Sequence, residues 1–260
     1  RNSVMRLSEV ITIMVHFHLS GCRNFKHYYL HFVQKHLTSE FPQSVSYNRF
    51  VELMQASALY LALFMKNHCQ GQCSGISFID STTLKVCNNR RIHQHKVFAG
   101  IAQRGKSSIG WFYGFKLHLI INDQGQIISF ALTPANTDDR NAKLIAKLCK
   151  KLYGKLFGDK GYLSQKLFET LFHDGIHLIT KIRSNMKNQL MDLKDKLLLR
   201  KRAVIECVND ELKNICQIEH TRHRSFANFF TNLIAGLCAY HYLPKKPSIN
   251  VVYDHSPQLS

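Results

Sequence analysis

Acidic side chains are scarce in this sequence: 17 Asp and Glu stand against 35 Lys and Arg, a formal charge of +18 before any of the 15 histidines is protonated. Between Ser81 and Asn122 there is no acid at all, while Lys85, Arg90, Arg91, Lys96, Arg104, Lys106 and Lys116 all fall in that stretch. With so few acids to offset them the cations repel one another, and a polyanionic partner is the simplest reason to tolerate this. Long apolar runs are missing too. Val10 to Leu19 is too short to span a bilayer and contains His16 and His18, so a membrane partner is not expected. No charged leader with a cleavage site is present, which argues against secretion. The eight cysteines lack the short paired spacings of a zinc ribbon, and the chain is large for a disulfide scaffold, so free thiols in a reducing cytoplasm are expected. There is no internal repeat and no long low-complexity segment. The chain starts at Arg1 instead of Met, and a truncated N-terminus is the expectation.

The 260 residues suffice for one large domain and a smaller one. Leu7, Val10, Ile11, Met14 and Val15 recur at helical spacing, as do Phe50, Val51, Met54 and Leu59 to Phe64 less cleanly, with a break at Phe41-Pro42 and Ser44 to Ser46. A helical, DNA-binding N-terminal domain over 1–72 is expected. After Gly71 the pattern changes. Ser77 to Val86, Gly114 to Asn122 and Gln126 to Leu132 read as three strands of a meander, with a turn at Asn122-Asp123-Gln124-Gly125. Asp138 and Asp139 suit a helix N-terminus. Lys155 to Gly158 reads as a fourth strand, Ser164 as the cap of a helix ending at Gly175, and His177 to Ile182 as a fifth strand. Lys187 to Arg200 is charged and leads into a helix from Arg202 to Asn214; a last helix covers Phe226 to Tyr242. This order predicts an α/β fold, a ribonuclease H-like mixed five-stranded sheet flanked by helices. The domain would cover 73–243, with a flexible tail over 244–260.

Three acids stand out. Asp80 interrupts the apolar run Ile76-Ser77-Phe78-Ile79, where an isolated charge is costly unless paired, hydrogen-bonded or metal-bound; a turn-capping role through Ser81 and Thr82 is the alternative. Asp159 follows a strand between two glycines, at the end where α/β folds place ligands, although an Asp between glycines is commonly just a turn. Glu206 shares a helix stripe with Arg202 and Lys213 through spacings of four and seven, which an exposed set of weak ion pairs would also explain. Asp210 is a weaker substitute for Glu206. Asn88 to Trp111 reads as a mobile basic loop, a DNA clamp carrying Arg90, Arg91, Lys96, Arg104 and Lys106, with Trp111, Phe112 and Tyr113 available to stack on an unpaired base. For Phe112 and Tyr113, core packing is the stronger expectation.

The strings Phe78 to Thr82 (FIDST), Gly110 to His118 (GWFYGFKLH) and Gly158 to Tyr162 (GDKGY), together with Arg202-x3-Glu206-x6-Lys213, resemble the signatures of DDE transposases encoded by bacterial insertion sequences. The resemblance runs from Leu7 to about Lys246. It implies a metal-binding catalytic triad of Asp80, Asp159 and Glu206 holding two Mg²⁺ ions, for which Mn²⁺ can substitute, with Asp80 bridging both. It also implies phosphate contacts from Arg202, Lys213 and Lys160, and duplex DNA partners: the element's terminal inverted repeats and the target. A homodimer in the DNA complex and a place on the bacterial nucleoid follow as expectations. The family's longer motif begins with a Tyr three residues before the Arg; here that residue is Leu199. Two rival readings share these features: a ribonuclease H-like nuclease or resolvase without strand transfer, and an inactive DNA-binding remnant.

Overall fold

The computed structural model describes residues 5–181, 191–219 and 223–249. Helix α1 (Leu7–Leu19) opens the chain. Helices α2 (Phe25–Tyr28) and α3 (Gln34–His36) follow, joined by a π-helical turn over Tyr29–Val33. Helices α4 (Tyr47–Ala56) and α5 (Ala58–Phe64) come next. The strands are β1 (Ile76–Cys87), β2 (Gln103–Ser107), β3 (Gly110–Asn122), β4 (Ile127–Pro134), β5 (Gly154–Gly158) and β6 (Ile176–Thr180). Helix α6 (Ala142–Leu148) precedes β5, and α7 (Gln165–His173) links β5 to β6. Helices α8 (Leu193–Lys201), α9 (Ala203–Asn214) and α10 (Phe226–His241) complete the described chain.

Pairing follows the order β4-β3-β1-β5-β6. The β1–β3 and β3–β4 pairs are antiparallel, and the β1–β5 and β5–β6 pairs parallel. A meander of three strands continued by two parallel crossovers is the topology of a ribonuclease H-like sheet. Strand β3, between β4 and β1, is buried along nearly its whole length, because both faces of the sheet are covered. On one face Phe78, Leu117, Leu119 and Phe157 join Val204, Ile205, Val208 and Leu212 of α9, the apolar side of α10 and the N-terminal helices in a single core. On the other, Ile79, Ile120 and Leu156 pack against Ile145 and Leu148 of α6 and Leu167 and Leu171 of α7.

Four expectations need correction. The sheet has a sixth strand: β2 pairs with the start of β3, Lys106 opposite Trp111 and Gly105 opposite Phe112. Asn88 to Trp111 is therefore a 3₁₀ turn (Asn89–Gln94) and a hairpin instead of a free loop. It is pinned by Phe98, whose ring packs edge-on against Phe115 and Phe229 at 5.8 and 5.4 Å. Helix α6 is capped by Asn141, whose side chain accepts from the Leu144 N–H at 3.2 Å, which leaves Asp139 free for other partners. The tail is tied down as far as Ile249, whose N–H donates to the Asp123 carbonyl at 2.8 Å. The last residue of the expected fifth strand, Ile182, and the charged stretch up to 190 lie outside the described residues.

Candidate active site

Asp80 and Asp159 are brought together by strand register. Phe78 of β1 is opposite Phe157 of β5 in the parallel pair, and their rings stack with centroids 5.6 Å apart on the α9 side of the sheet. Side chains alternate with period two. Asp80 and Asp159 each lie two residues beyond that pair and so share its face. Asp159 caps the 3₁₀ turn Lys160–Tyr162, its Oδ1 accepting from the Gly161 N–H at 2.7 Å. A β-carbon on Gly161 would meet that oxygen at 2.8 Å, so the glycine is what lets the carboxylate fold back onto its own turn.

Helix α9 delivers the third acid. Its apolar stripe anchors it on the sheet, and the neighbouring stripe carries Glu206, Asn209 and Lys213, with Arg202 at the N-cap. Asn209 Nδ2 donates to Asp80 Oδ2 at 3.0 Å. The Arg202 guanidinium lies between two carboxylates: its Nη2 donates to Glu206 Oε1, and its Nη1 is 3.9 Å from Asp80 Oδ1. Lys213 Nζ approaches Thr83 Oγ1 of β1 and Glu219 Oε2, both at 3.5 Å. Glu219 in turn accepts from the Lys85 N–H at 2.9 Å.

The electrostatics follow from this packing. Burial pushes the Asp80 carboxyl up to about 6; the Arg202 charge and the Ser81 N–H oppose the rise, and the charges of Asp159 and Glu206 add to it. All three acids thus act within one local field. Tyr162, buried just after Asp159, has its phenol raised well above the ordinary value by burial and by the charges of Asp80, Asp139 and Asp159. Glu206 is 59% exposed and turned towards Arg202. Among the described residues no three His, Cys, Asp or Glu side chains are close enough together to hold an ion.

Two residues beside the acids were missed by the sequence reading. Asn209 reaches Asp80, while Asp210, the weaker substitute for Glu206, accepts from its neighbour one turn on, Asn214, at 2.6 Å. Period alone marks Asn209, three residues after Glu206 and four before Lys213. Asp139, expected at a helix start, accepts from Ser81 Oγ at 2.9 Å and from Lys116 Nζ at 3.2 Å; nothing local in the sequence signals that contact.

The basic residues lie on exposed surface. Arg90 and Arg91 occupy the 3₁₀ turn, Lys96 follows it, and Lys160 stands beside Asp159. Arg104 and Lys106 project from β2 over the ring of Trp111, 4.9 and 5.9 Å from its centroid. Trp111 is 53% exposed, whereas Phe112 and Tyr113 are buried. All eight cysteines are free thiols. Among the described residues no helix is long and apolar enough to cross a membrane.

Residues 70–226 match the family model described as Transposase DDE domain. Among solved structures, the chain is similar to that of a piggyBac transposase synaptic complex with hairpin DNA: 11% identity, a TM-score of 0.49, and coverage of 93% of this chain and 66% of that one. Comparison with curated proteins gives no match.

Proposed function

The chain belongs to the transposase DDE domain family, and from that premise we propose that it cuts the ends of an insertion-sequence element and joins them to target DNA, using Asp80, Asp159 and Glu206 to hold divalent ions. The observation that supports this most is the placing of Asp80 on β1 and Asp159 just past the end of its parallel neighbour β5, with Glu206 tied in through Arg202.

The residues present suit Mg²⁺. The donors are three carboxylates with no thiolate or imidazole among them, the hard oxygen set this ion prefers, and Mn²⁺ would be accepted by the same set. Asp80 has the character of a cation ligand without its cation: a half-buried carboxylate repelled by two others and offset by one guanidinium. Two bound ions would supply activation of the attacking oxygen and stabilisation of the leaving oxygen.

The chain's own groups do the rest. Asn209 orients Asp80 through one oxygen and leaves the other facing Arg202. Glu206 must give up its Arg202 partner to ligate, which frees the guanidinium for a phosphate oxygen, a geometry Arg suits. Lys213 and Lys160 stand at the edge of the same crevice as further phosphate contacts. Arg90, Arg91, Lys96, Arg104 and Lys106 extend the cationic surface along the β2 hairpin, where the duplex of an element end or a target would lie. The helices of 1–72 would add DNA-binding surface, and a homodimer would bring two ends together on the nucleoid.

The test is a strand-transfer assay with Mg²⁺ and the element's own terminal repeats, run on the unaltered chain and on Asp80→Asn, Asp159→Asn and Glu206→Gln. Joined product from the unaltered chain, lost in all three variants with DNA binding retained, is expected. Cleaved but never joined ends would mean a nuclease. A variant cutting at the unaltered rate would remove its acid from the site.

A further inference from the structure

Ser81, directly after Asp80, is held from across the sheet. Its Oγ donates to Asp139 Oδ1 at 2.9 Å across 58 residues of chain. Asp139 comes from the loop between β4 and α6 and is itself clamped. Lys116 of β3 donates from Nζ to both its oxygens at 3.2 Å and to the Thr137 carbonyl of the same loop at 2.9 Å. The Lys116 side chain is 12% exposed and the Asp139 side chain 32%, so this is a part-buried pair. Beneath it lies His118, fully buried, the register partner of Ser81. Burial holds that imidazole down to about 4 and so neutral; its Nε2 is 2.9 Å from Thr133 Oγ1 and its Nδ1 3.9 Å from Asp139 Oδ1.

A part-buried ion pair is weak evidence of stability, since the cost of withdrawing its charges from water offsets their attraction. Its place in this fold gives it a different use. It fixes the residue next to Asp80 on the face of β1 opposite the carboxylate. The turn that carries Asp159 converges on the same point: the Tyr162 phenol feels the charges of Asp80, Asp139 and Asp159 and lies against Ser81. One carboxylate thus ties β1, β3 and the loop before α6 together beside Asp80, level with the end of β5.

We propose that Asp139 is a positioning residue of the carboxylate site: held by Lys116, it grips Ser81 and so fixes the strand segment from which Asp80 projects. This rests on the reading of Asp80 as a metal ligand. Supporting shells of this kind change metal affinity by roughly 10- to 100-fold, and that is the size of effect expected.

The measurement is Mn²⁺ binding to the DNA-free chain, followed by paramagnetic resonance, with thermal unfolding in chelator as the companion readout. Ser81→Ala should weaken Mn²⁺ binding about tenfold or more while lowering the chelated midpoint by only about 2 to 4 °C. Ser81→Thr, which keeps the hydroxyl, should restore binding. Asp139→Ala should weaken it comparably, and the double variant Ser81→Ala with Asp139→Ala no further, because both act along one line. Wild-type affinity in Ser81→Ala, with binding lost in Asp80→Asn, would overturn the positioning role and leave the metal site standing. Additive losses in the double variant, or a loss that Thr does not rescue, would also overturn it. Binding unchanged by Asp80→Asn would remove the metal site itself, and this inference with it.

Discussion

Replacing Asp80 by Asn should make the metal-free chain more stable while removing its activity. The folded carboxyl, pushed from 3.8 to about 6, binds its proton more tightly than the unfolded one does. Stability is therefore complete below about pH 4, declines as pH rises towards 6, and above that carries the whole cost of a buried charge. The shift is equivalent to about 3 kcal/mol. Asparagine has no such charge and can still accept from Asn209, whose amide is 3.0 Å from the carboxylate. That shift is already net of the Arg202 attraction, and Glu206 remains bonded to the guanidinium in the variant. A net gain of about 1 to 3 kcal/mol at pH 8 follows, or roughly 2 to 10 °C in a domain of this size. The assay is scanning calorimetry with chelator at pH 8 and at pH 4, where the gain should vanish. Millimolar Mg²⁺ should raise the midpoint of the unaltered chain and not that of the variant, since a ligand stabilises only a state that binds it. A variant less stable than the unaltered chain at pH 8, or equally shifted at both pH values, would refute the reasoning.

Neutralising Arg90, Arg91, Arg104 and Lys106 together should weaken binding to unrelated duplexes and flatten the salt dependence by about 0.9 log units for each phosphate no longer neutralised; an unchanged slope in a filter-binding titration would place the hairpin away from DNA. His18 is almost wholly buried against the Cys216 carbonyl, and burial lowers it from 6.5 to about 4. Its contribution is complete above pH 6.5 and is lost as pH falls towards 4, up to about 3 kcal/mol, so urea midpoints should fall across that window and fall less in His18→Gln. Gly114→Ala should cost about 1 to 3 kcal/mol by urea unfolding, because its β-carbon would come 2.1 Å from the Leu84 carbonyl oxygen; a variant as stable as the unaltered chain would mean that the β1–β3 pair relaxes freely there.

What the sequence made legible was local. The apolar run Ile76 to Ile79 leads to Asp80, the short run Lys155 to Gly158 leads to Asp159, and the α9 stripe repeats at helical spacing, so each acid could be placed on or beside its element before any coordinates. Strand β2 could not be read in the same way. Gln103-Arg104-Gly105-Lys106-Ser107 has no apolar alternation, and it becomes a strand because the start of β3 offers it a partner edge. Gly105 lets it approach closely, since a β-carbon there would lie 2.3 Å from the Ala135 carbonyl oxygen. Asp139 was misread for a related reason. Its acidic neighbour Asp138 does behave locally, bonding the Arg140 backbone and guanidinium, whereas Asp139 is recruited by Lys116 and Ser81 from strands that only the folded sheet brings near. Asp210, kept as a weaker substitute for Glu206, lies a single helical step from Asn209: one residue along α9 turns the side chain about 100°, so Asn209 meets Asp80 and Asp210 meets Asn214.

The proposed site also gives a use to the imbalance of charge from which the sequence reading began. On the proposed reading, DNA phosphates drawn to a chain of +18 would have to approach Asp80, Asp159 and Glu206, so attraction over the surface would end in repulsion at the point of reaction. Arg202 spans that boundary. Its side chain is 13% exposed, it joins Glu206 to Asp80, and its buried Nη1 lacks a hydrogen-bond partner. An unfilled guanidinium donor beside two carboxylates can be satisfied by an incoming phosphate oxygen only as its hold on the acids loosens. On the proposed reading, loosening that hold turns Glu206 from an ion-pair partner into a ligand. The same residue then neutralises the acids before cations and DNA arrive and contacts the phosphate afterwards, a task for which Lys, with a single compact charge and no planar fork, is poorly shaped.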